Sequence, residues 1–396
     1  MMSSIDGHLS ALYRLRRFGI QLGLTTISRL MKGLGNPQDH YRCIHIAGTN
    51  GKGSVAAMVS SILFRAGYRV GLYTSPHLIR FNERIQINGT PISDKGVAGA
   101  AEAVQRIYTQ GEPPTFFECA TAMALHHFAE EEVDWAVLET GMGGQYDATN
   151  VVRPQACVIS NISMEHTEYL GNTLAKIAAE KAGIIKKNAG VVTGTRQKNA
   201  LQVIAQRATE KGVPLRRIGR EIKARKSANG RFTYVGTERT WPGLEVGLLG
   251  DHQVTNGVLA LGALELLMEK GLELSEDAIY KGLAETCWPG RLEVVSRDPL
   301  VLLDGAHNPS AIKTLKAFLK DRVTYRRLIV VMGILEDKAW RPMLRALAGI
   351  CHSMILTRPH YERAADPDKL APFARSLKKD VVVAPRLSHA ISFALE

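Results

Sequence analysis

The sequence predicts an α/β protein in two parts, the larger first part built on a parallel sheet with helices packed over it. Three observations predict it. Short segments rich in Val, Ile and Leu recur without clean alternation, which is how strands buried on both faces read. Segments with apolar residues at three- and four-residue steps lie between many of them. The first strand–helix pair is joined by a glycine-rich turn.

Strand candidates are 42–47, 69–73, 134–139, 155–160, 190–193, 300–304, 327–332, 353–357 and 381–384. After the first, Val55, Met58, Val59, Ile62, Leu63 and Ala66 share one helical face, and Gly67 supplies a helix stop. The segment 223–245 is polar. Its strand candidate RFTYV and its turn signals at Asn229–Gly230 and Pro242–Gly243 predict a small antiparallel excursion or surface loop. The Pro-Gly of Cys287-Trp-Pro-Gly-Arg291 ends the helical pattern of 274–283, and a new strand–helix series follows. The domains are therefore expected at 1–290 and 291–396, with the boundary near 291–297.

Hydrophobic residues at 45% and charged residues at 22% supply packed cores, which excludes a disordered chain. No uncharged apolar run approaches the ~18 residues of a membrane span, and the amino end lacks a signal pattern. A soluble, cytoplasmic protein without a membrane partner is expected. The five cysteines form no C-x-x-C pair, so reduced, mostly buried thiols are expected rather than a zinc knuckle. The net charge of 50 − 38 = +12 suits an anionic partner. The densest basic stretch, Arg216, Arg217, Arg220, Lys223, Arg225 and Lys226, has no aromatic platform for single-stranded nucleic acid and reads as a solvated face.

The strongest local signal is Ile44-His-Ile-Ala-Gly-Thr-Asn-Gly-Lys-Gly-Ser54. A buried strand runs into a turn whose N–H groups, with the following helix N-terminus, point at an anion. Lys52 adds a point charge, and Ser54 a hydroxyl suited to Mg²⁺. The string departs from the usual phosphate loop by an extra glycine between Lys52 and Ser54. Glu139, in Leu138-Glu-Thr-Gly-Met-Gly-Gly144, ends a strand at the carboxyl edge, where open sheets bind ligands. His166 follows another strand in Ser160-Asn-Ile-Ser-Met-Glu-His166. Taken singly, Glu139 also reads as a capping carboxylate and His166 as a loop histidine. Together with the phosphate loop they make one constellation of strand-end residues. Lys181 sits near the end of a helix starting around Asn172, an ordinary place for lysine. Further on, Asp251-His-Gln-Val-Thr-Asn256 opens an apolar helix, and Arg291 and Asp304 stand at the boundary and the next strand end. A ligand clamped between domains would explain polar motifs on both.

With G-T-N-G-K-G-S, T-S-P-H-L, E-x-G-x-G-G, H-x-x-x-L-G, E-K-A-G-I, W-P-G-R and D-G-A-H-N-P present in that order, the chain resembles the Mur-ligase superfamily. It is most similar there to the folylpolyglutamate synthases and their bifunctional dihydrofolate synthase relatives. The resemblance implies a P-loop-containing parallel-sheet N-terminal domain plus a smaller Rossmann-like α/β C-terminal domain. It implies ATP-dependent ligation of L-glutamate to a reduced folate or dihydropteroate, by a monomer, through an acyl phosphate.

It further implies residue roles. Thr49, Asn50, Gly51, Lys52, Gly53 and Ser54 would hold phosphates, and Asn256, Arg291 and Asp304 would contact adenine, phosphates and ribose. Ser54, Ser75, Glu139 and His166 would bind Mg²⁺, and Lys181, as a carbamate, a second Mg²⁺. His307 would lie near the glutamate or the transferred phosphate, with Lys52 and Lys181 completing the catalytic set. Thr115, Phe116, Phe117, Glu118, Gln145, Tyr146 and Asp147 would bind the pterin, although an aromatic helix start packed in the core is the plainer reading of Phe116 and Phe117.

Two departures stand out. Gln21 replaces the Asp of bifunctional members, which bears on dihydropteroate use, and the sequence ends in a helical pattern where the family carries a further T-G-S-L-F strand. Either the protein is naturally short or that strand and helix are missing, leaving a sheet edge incomplete. Only 47 residues precede Gly48, too few for the UDP-binding domain of a cell-wall Mur ligase. A P-loop regulatory ATPase is the reading from another class.

Overall fold

A computed structural model describes residues 5–19, 21, 23–108, 113–227, 230–377 and 380–396. Its strands are β1 Arg42–Ala47, β2 Val70–Tyr73, β3 Ile85–Ile87, β4 Thr90–Pro91, β5 Trp135–Glu139, β6 Ala156–Ile159, β7 Gly190–Thr193 and β8 Leu215–Arg217. There follow β9 Lys223–Lys226, β10 Phe232–Val235, β11 Thr240–Leu244, β12 Glu293–Arg297, β13 Leu300–Leu303, β14 Ile329–Gly333, β15 Ser353–Thr357 and β16 Asp380–Val383. The helices are α1 Ile5–Arg14, α2 Thr25–Gly33, α3 Lys52–Arg65, α4 Asp94–Ile107, α5 Phe116–Glu130, α6 Thr167–Leu170 and α7 Leu174–Ala182. After these come α8 Lys198–Lys211, α9 Asp251–Met268, α10 Glu276–Ala284, α11 Pro309–Arg322, α12 Trp340–Ala348, α13 Pro367–Ser376 and α14 Leu387–Leu395.

Two compact units divide the chain, one of residues 1–248 and 253–288, the other of 249–252 and 289–396. The first unit carries an eight-stranded sheet in the order β4-β3-β2-β5-β1-β6-β7-β8. From β2 to β8 neighbouring strands run parallel, while β3 and β4 are antiparallel. The central strand β1 shows why its sequence lacks alternation. Ile44 and Ile46 join the core beneath α3 and α9, while Cys43 and Ala47 enter cores on the opposite face. Strand order reverses on either side of β1, with β5 and β6 as its neighbours. That is the topological switch point where open α/β sheets bind ligands.

The polar segment forms the antiparallel sheet β11-β10-β9. Its Asn229–Gly230 turn signal includes a residue outside those described. Pro242–Gly243, expected as a turn, instead lies inside β11. The register slips there, Phe232 facing Leu244 and Tyr234 facing Trp241, so β11 spends one residue more than β10. Proline brings no N–H to a ladder and Gly243 takes φ 68°, so the pair makes a bulge rather than a chain reversal.

The basic stretch is also only partly a solvated face. Arg216 is buried, donating to Glu265 at 3.0 Å and to Glu269. Glu265, fully buried in apolar α9, also accepts from Tyr234 Oη at 2.6 Å and from the Glu238 and Arg239 N–H groups at 2.8 Å each. This knot fastens the small sheet to α9.

The second unit has the hairpin β12–β13 and the parallel sheet β14-β15-β16. Met332, Leu344, Met354, Leu356 and Leu370 lie in its main core. All five cysteines are free thiols, and only Cys287 is exposed. Among the described residues no helix is long and apolar enough to cross a membrane.

Candidate functional site

The carboxyl ends of β2, β5, β1 and β6 lie side by side and open into the loops that carry the expected residues. After β1 the chain turns at Gly48, φ 148°, where a Cβ would overlap Ser160 Oγ. The loop is braced from the β6 end. Asn161 exchanges hydrogen bonds with the Asn50 backbone at 3.0 Å each way, and Ser160 Oγ donates to Asn50 O at 2.6 Å. Ser163 N donates to Thr49 Oγ1 at 3.0 Å. Gly51, at φ 84°, is the N-cap of α3, and a Cβ there would lie 2.6 Å from Asn256 Oδ1. Asn256 is therefore held against the phosphate loop, buried, with Nδ2 donating to Gln253 at 2.8 Å. Gly53 and Ser54 are buried in the first turn of α3.

Lys52 Nζ lies 3.8 Å from Glu139 Oε1 and 3.4 Å from Thr49 O. Glu139 closes β5 almost fully buried, and its Oε2 accepts the Ser75 N–H at 3.2 Å. Lys181, in the last turn of α7, is 4% exposed, and its Nζ donates to Gly48 O at 2.8 Å. Burial, then the nearby Lys52 charge, pushes its pKa down to about 7. His166 is the left-handed N-cap of α6, φ 51°, half-buried. Strand order thus gathers Lys52, Glu139, Ser75 and Lys181 about one loop. Among the described residues no three His, Cys, Asp or Glu side chains converge.

A second group lies on the neighbouring face. Thr115 and Glu118 cap α5 reciprocally. The Thr115 N–H and Oγ1 donate to Glu118 Oε2 at 2.8 and 2.9 Å, and Glu118 N returns one to Oγ1 at 3.2 Å. Phe116 and Phe117, half-buried, pack in an aromatic set. Phe116 stacks on Tyr13 at 5.7 Å and meets Phe81 edge-on at 6.2 Å, and Phe117 lies 6.1 Å from Tyr73. Gln145 and Tyr146 are exposed.

Asp147 is buried and organises the loop after Glu139. It accepts from Met142 N at 2.9 Å, Thr149 N at 3.0 Å and Thr149 Oγ1 at 2.5 Å. His45 Nε2 lies 2.7 Å from Thr149 Oγ1 and completes the chain back to β1. Since that hydroxyl donates to Asp147, His45 is the donor to Thr149. Burial pushes the Asp147 carboxyl up, and the Thr149 and Met142 donors pull it back.

In the second unit both oxygens of Asp304 are engaged by backbone, Leu292 N at 3.0 Å and Ala306 N at 2.9 Å. Arg291 Nη1 donates to Gly290 O at 3.1 Å, and exposed His307 lies 2.8 Å from Gly305 O through Nδ1. Sequence reading missed Tyr13, Arg16 and Arg84, which surround Phe116, and His77, which accepts from Arg84. His77 belongs to the T-S-P-H-L motif, but no local pattern marks Tyr13, Arg16 or Arg84. A polar groove of about 1030 Å³ at the amino ends of the strands, lined by Gln38, Arg42, Asp134 and Gln155 among others, holds none of the expected residues.

A glycine-rich strand–turn–helix loop at a switch point, backed by a strand-end carboxylate and a buried lysine, is an arrangement suited to a nucleotide-dependent ligase, and comparison with known families places the chain in the Mur type. The Mur ligase middle domain matches residues 46–264, and the Mur ligase, glutamate ligase domain matches 290–396. The chain belongs to this family, and within it to the dihydrofolate synthase/folylpolyglutamate synthases. It is 38% identical over 386 residues to the dihydrofolate synthase/folylpolyglutamate synthase of Bacillus subtilis, covering 94% of this chain and 87% of that one. Escherichia coli FolC in complex with DHPP and ADP superposes with a TM-score of 0.91 at 32% identity, over 99% of this chain and 92% of that one. Folylpolyglutamate synthase from Thermotoga maritima gives a TM-score of 0.87 at 40% identity, over 97% and 91%.

Proposed function

We propose that this chain is an ATP-dependent ligase that joins L-glutamate to the carboxylate of a reduced folate, and of dihydropteroate, acting as a cytoplasmic monomer. The observation that carries the reading is the meeting of Lys52, Glu139, Ser75 and Lys181 about the phosphate loop.

A carboxylate is a poor acyl donor because its leaving group would be oxide. Transfer of the γ-phosphoryl group to a carboxylate oxygen breaks the bond to ADP and forms an acyl phosphate. The glutamate nitrogen attacks the acyl carbon, loses a proton and expels phosphate, leaving an amide. The protein's work is to position the reactants and balance charge. Thr49, Asn50, Gly51, Lys52, Gly53 and Ser54 are assigned to the phosphates and Asn256 to the adenine side. In the second unit Arg291, Asp304 and His307 keep the phosphate, ribose and glutamate-side roles that the resemblance implies. Phe116 and Phe117 offer ring faces to the pterin, with Thr115, Glu118, Gln145, Tyr146 and Asp147 around them.

Hydroxyl and carboxylate oxygens from Ser54, Ser75 and Glu139 are hard donors of the kind Mg²⁺ takes, so these residues, with His166, fit a first Mg²⁺. Lys181 as an ammonium does not fit a metal, but as a carbamate it presents two oxygens and fits a second. Bound Mg²⁺ supplies neutralising charge beside the β- and γ-phosphates.

ADP release with 5-formyltetrahydrofolate or dihydropteroate, with and without L-glutamate, tests the reading. Turnover that needs both acceptor and amine is expected. Turnover indifferent to both would reject the ligase in favour of a regulatory ATPase, and a requirement for a UDP-sugar peptide would favour a cell-wall ligase.

A further inference from the structure

Arg84 ends the turn Phe81–Arg84 just before β3 and is 6% exposed. Its Nε donates to His77 Nδ1 at 2.8 Å, so that imidazole is a neutral acceptor. Its guanidinium lies 5.2 Å from the centre of the Phe116 ring, and that of Arg16 lies 5.0 Å from the same ring. Among the described residues no carboxylate lies within ion-pair distance of Arg84. A guanidinium stays charged at every physiological pH, and burying it without a counter-charge is unfavourable. A ring face and a neutral imidazole compensate that only in part.

Location says what the missing charge serves. The Arg84 carbonyl accepts the Thr74 N–H at 3.0 Å, and the next residue, Ser75, donates to Glu139. Arg84 therefore stands between the Phe116 ring and the edge of the phosphate loop. Glu139 acts on Arg84 only at longer range: its charge favours the guanidinium, but its oxygens are engaged by the Ser75 N–H and by Lys52.

We propose that Arg84 binds the acceptor carboxylate that is to be phosphorylated, pairing its terminal nitrogens with the carboxylate oxygens while His77 holds Nε. This rests on the folate-ligase reading and adds the residue that recognises the reacting end of the substrate. The carboxylate supplies a counter-charge at hydrogen-bond distance, which no side chain among the described residues gives Arg84, and bidentate pairing turns one oxygen toward the γ-phosphoryl group.

The test compares binding of 5-formyltetrahydrofolate and its γ-carboxamide to the full chain by calorimetry. Wild type should prefer the carboxylate at least tenfold. Arg84→Met should lose that preference while binding the carboxamide and ATP as wild type does. Arg84→Lys keeps the charge but not the fork, so its preference should fall between the two, and this variant decides the matter if Arg84→Met does not fold. A full preference retained in the folded variant would overturn the assignment and leave the ligase reading standing. A wild type that binds neither ligand would overturn both.

Discussion

Lys181 Nζ donates to the carbonyl oxygen of Gly48 across 2.8 Å, tying the end of α7 to the first residue of the phosphate loop. The pair links the loop assigned to phosphate to the residue assigned a carbamate. Because Lys181 is buried and its pKa is pushed down to about 7, much of it is neutral amine at neutral pH, and only the neutral amine reacts with CO₂.

That shift fixes a sign. Below about 7 both folded and unfolded chains hold the proton, so the full burial penalty applies. Between there and the ordinary lysine value of about 10.4, the unfolded chain holds a proton the folded chain has shed. Stability from this residue therefore rises with pH across that window. In CO₂-free buffer, Lys181→Met should flatten the rise in melting temperature between pH 7 and 9 relative to wild type. Parallel curves would remove the shift. With ¹³C-bicarbonate at pH 8, a carbamate resonance should appear in wild type and not in the variant.

Lys52→Ala removes the cation beside Glu139, a charge that the proposed function assigns to the phosphates. Loss of one preorganised charge contact of this kind typically lowers kcat about 10²–10³-fold. The expected result is that loss in ADP release with native-like circular dichroism. Wild-type turnover would contradict the phosphate-loop assignment.

Gly48→Ala should be destabilising through overlap with Ser160 Oγ. About 1–3 kcal/mol is usual for overpacking of this kind. Adding Ser160→Gly should recover part of it in urea unfolding. Strictly additive effects of the two changes would show that the contact does not set the cost.

Glu265→Leu leaves Arg216 buried without its main partner, and breaking such a pair typically costs about 3–5 kcal/mol. Replacing Arg216 with Met in the same chain should return most of that loss. A single variant within about 0.5 kcal/mol of wild type, a surface-like effect, would rule out the knot as the anchor of the small sheet.

Much of the site was legible because its signals are contiguous. Gly48 to Ser54 needs only a strand, a turn and a helix in succession, and β1 and α3 form where their patterns predict. Glu139 at a strand end is equally local. The Thr115–Glu118 spacing is a capping box in plain sequence, whereas the resemblance assigns both side chains to the pterin. Pro242–Gly243 carries the same letters in a turn and in a bulge, and only pairing with β10 distinguishes them. Arg84 and Glu265 were invisible for a related reason. A charged residue in a polar turn, or a single Glu in an apolar helix, does not reveal the neighbours that bury it.

By itself the sequence determined the fold class, the strand–turn–helix at Gly48–Ser54 and the family, because each rests on residues adjacent in the chain or on motifs in fixed order. The tertiary structure alone decided that Lys181 meets Gly48, that Asp147 braces the loop after Glu139, and that Arg84 is buried against Phe116 with no carboxylate paired to it among the described residues. Those contacts follow from strands lying in the order β2-β5-β1-β6 rather than chain order, so residues far apart in sequence become neighbours at one sheet edge.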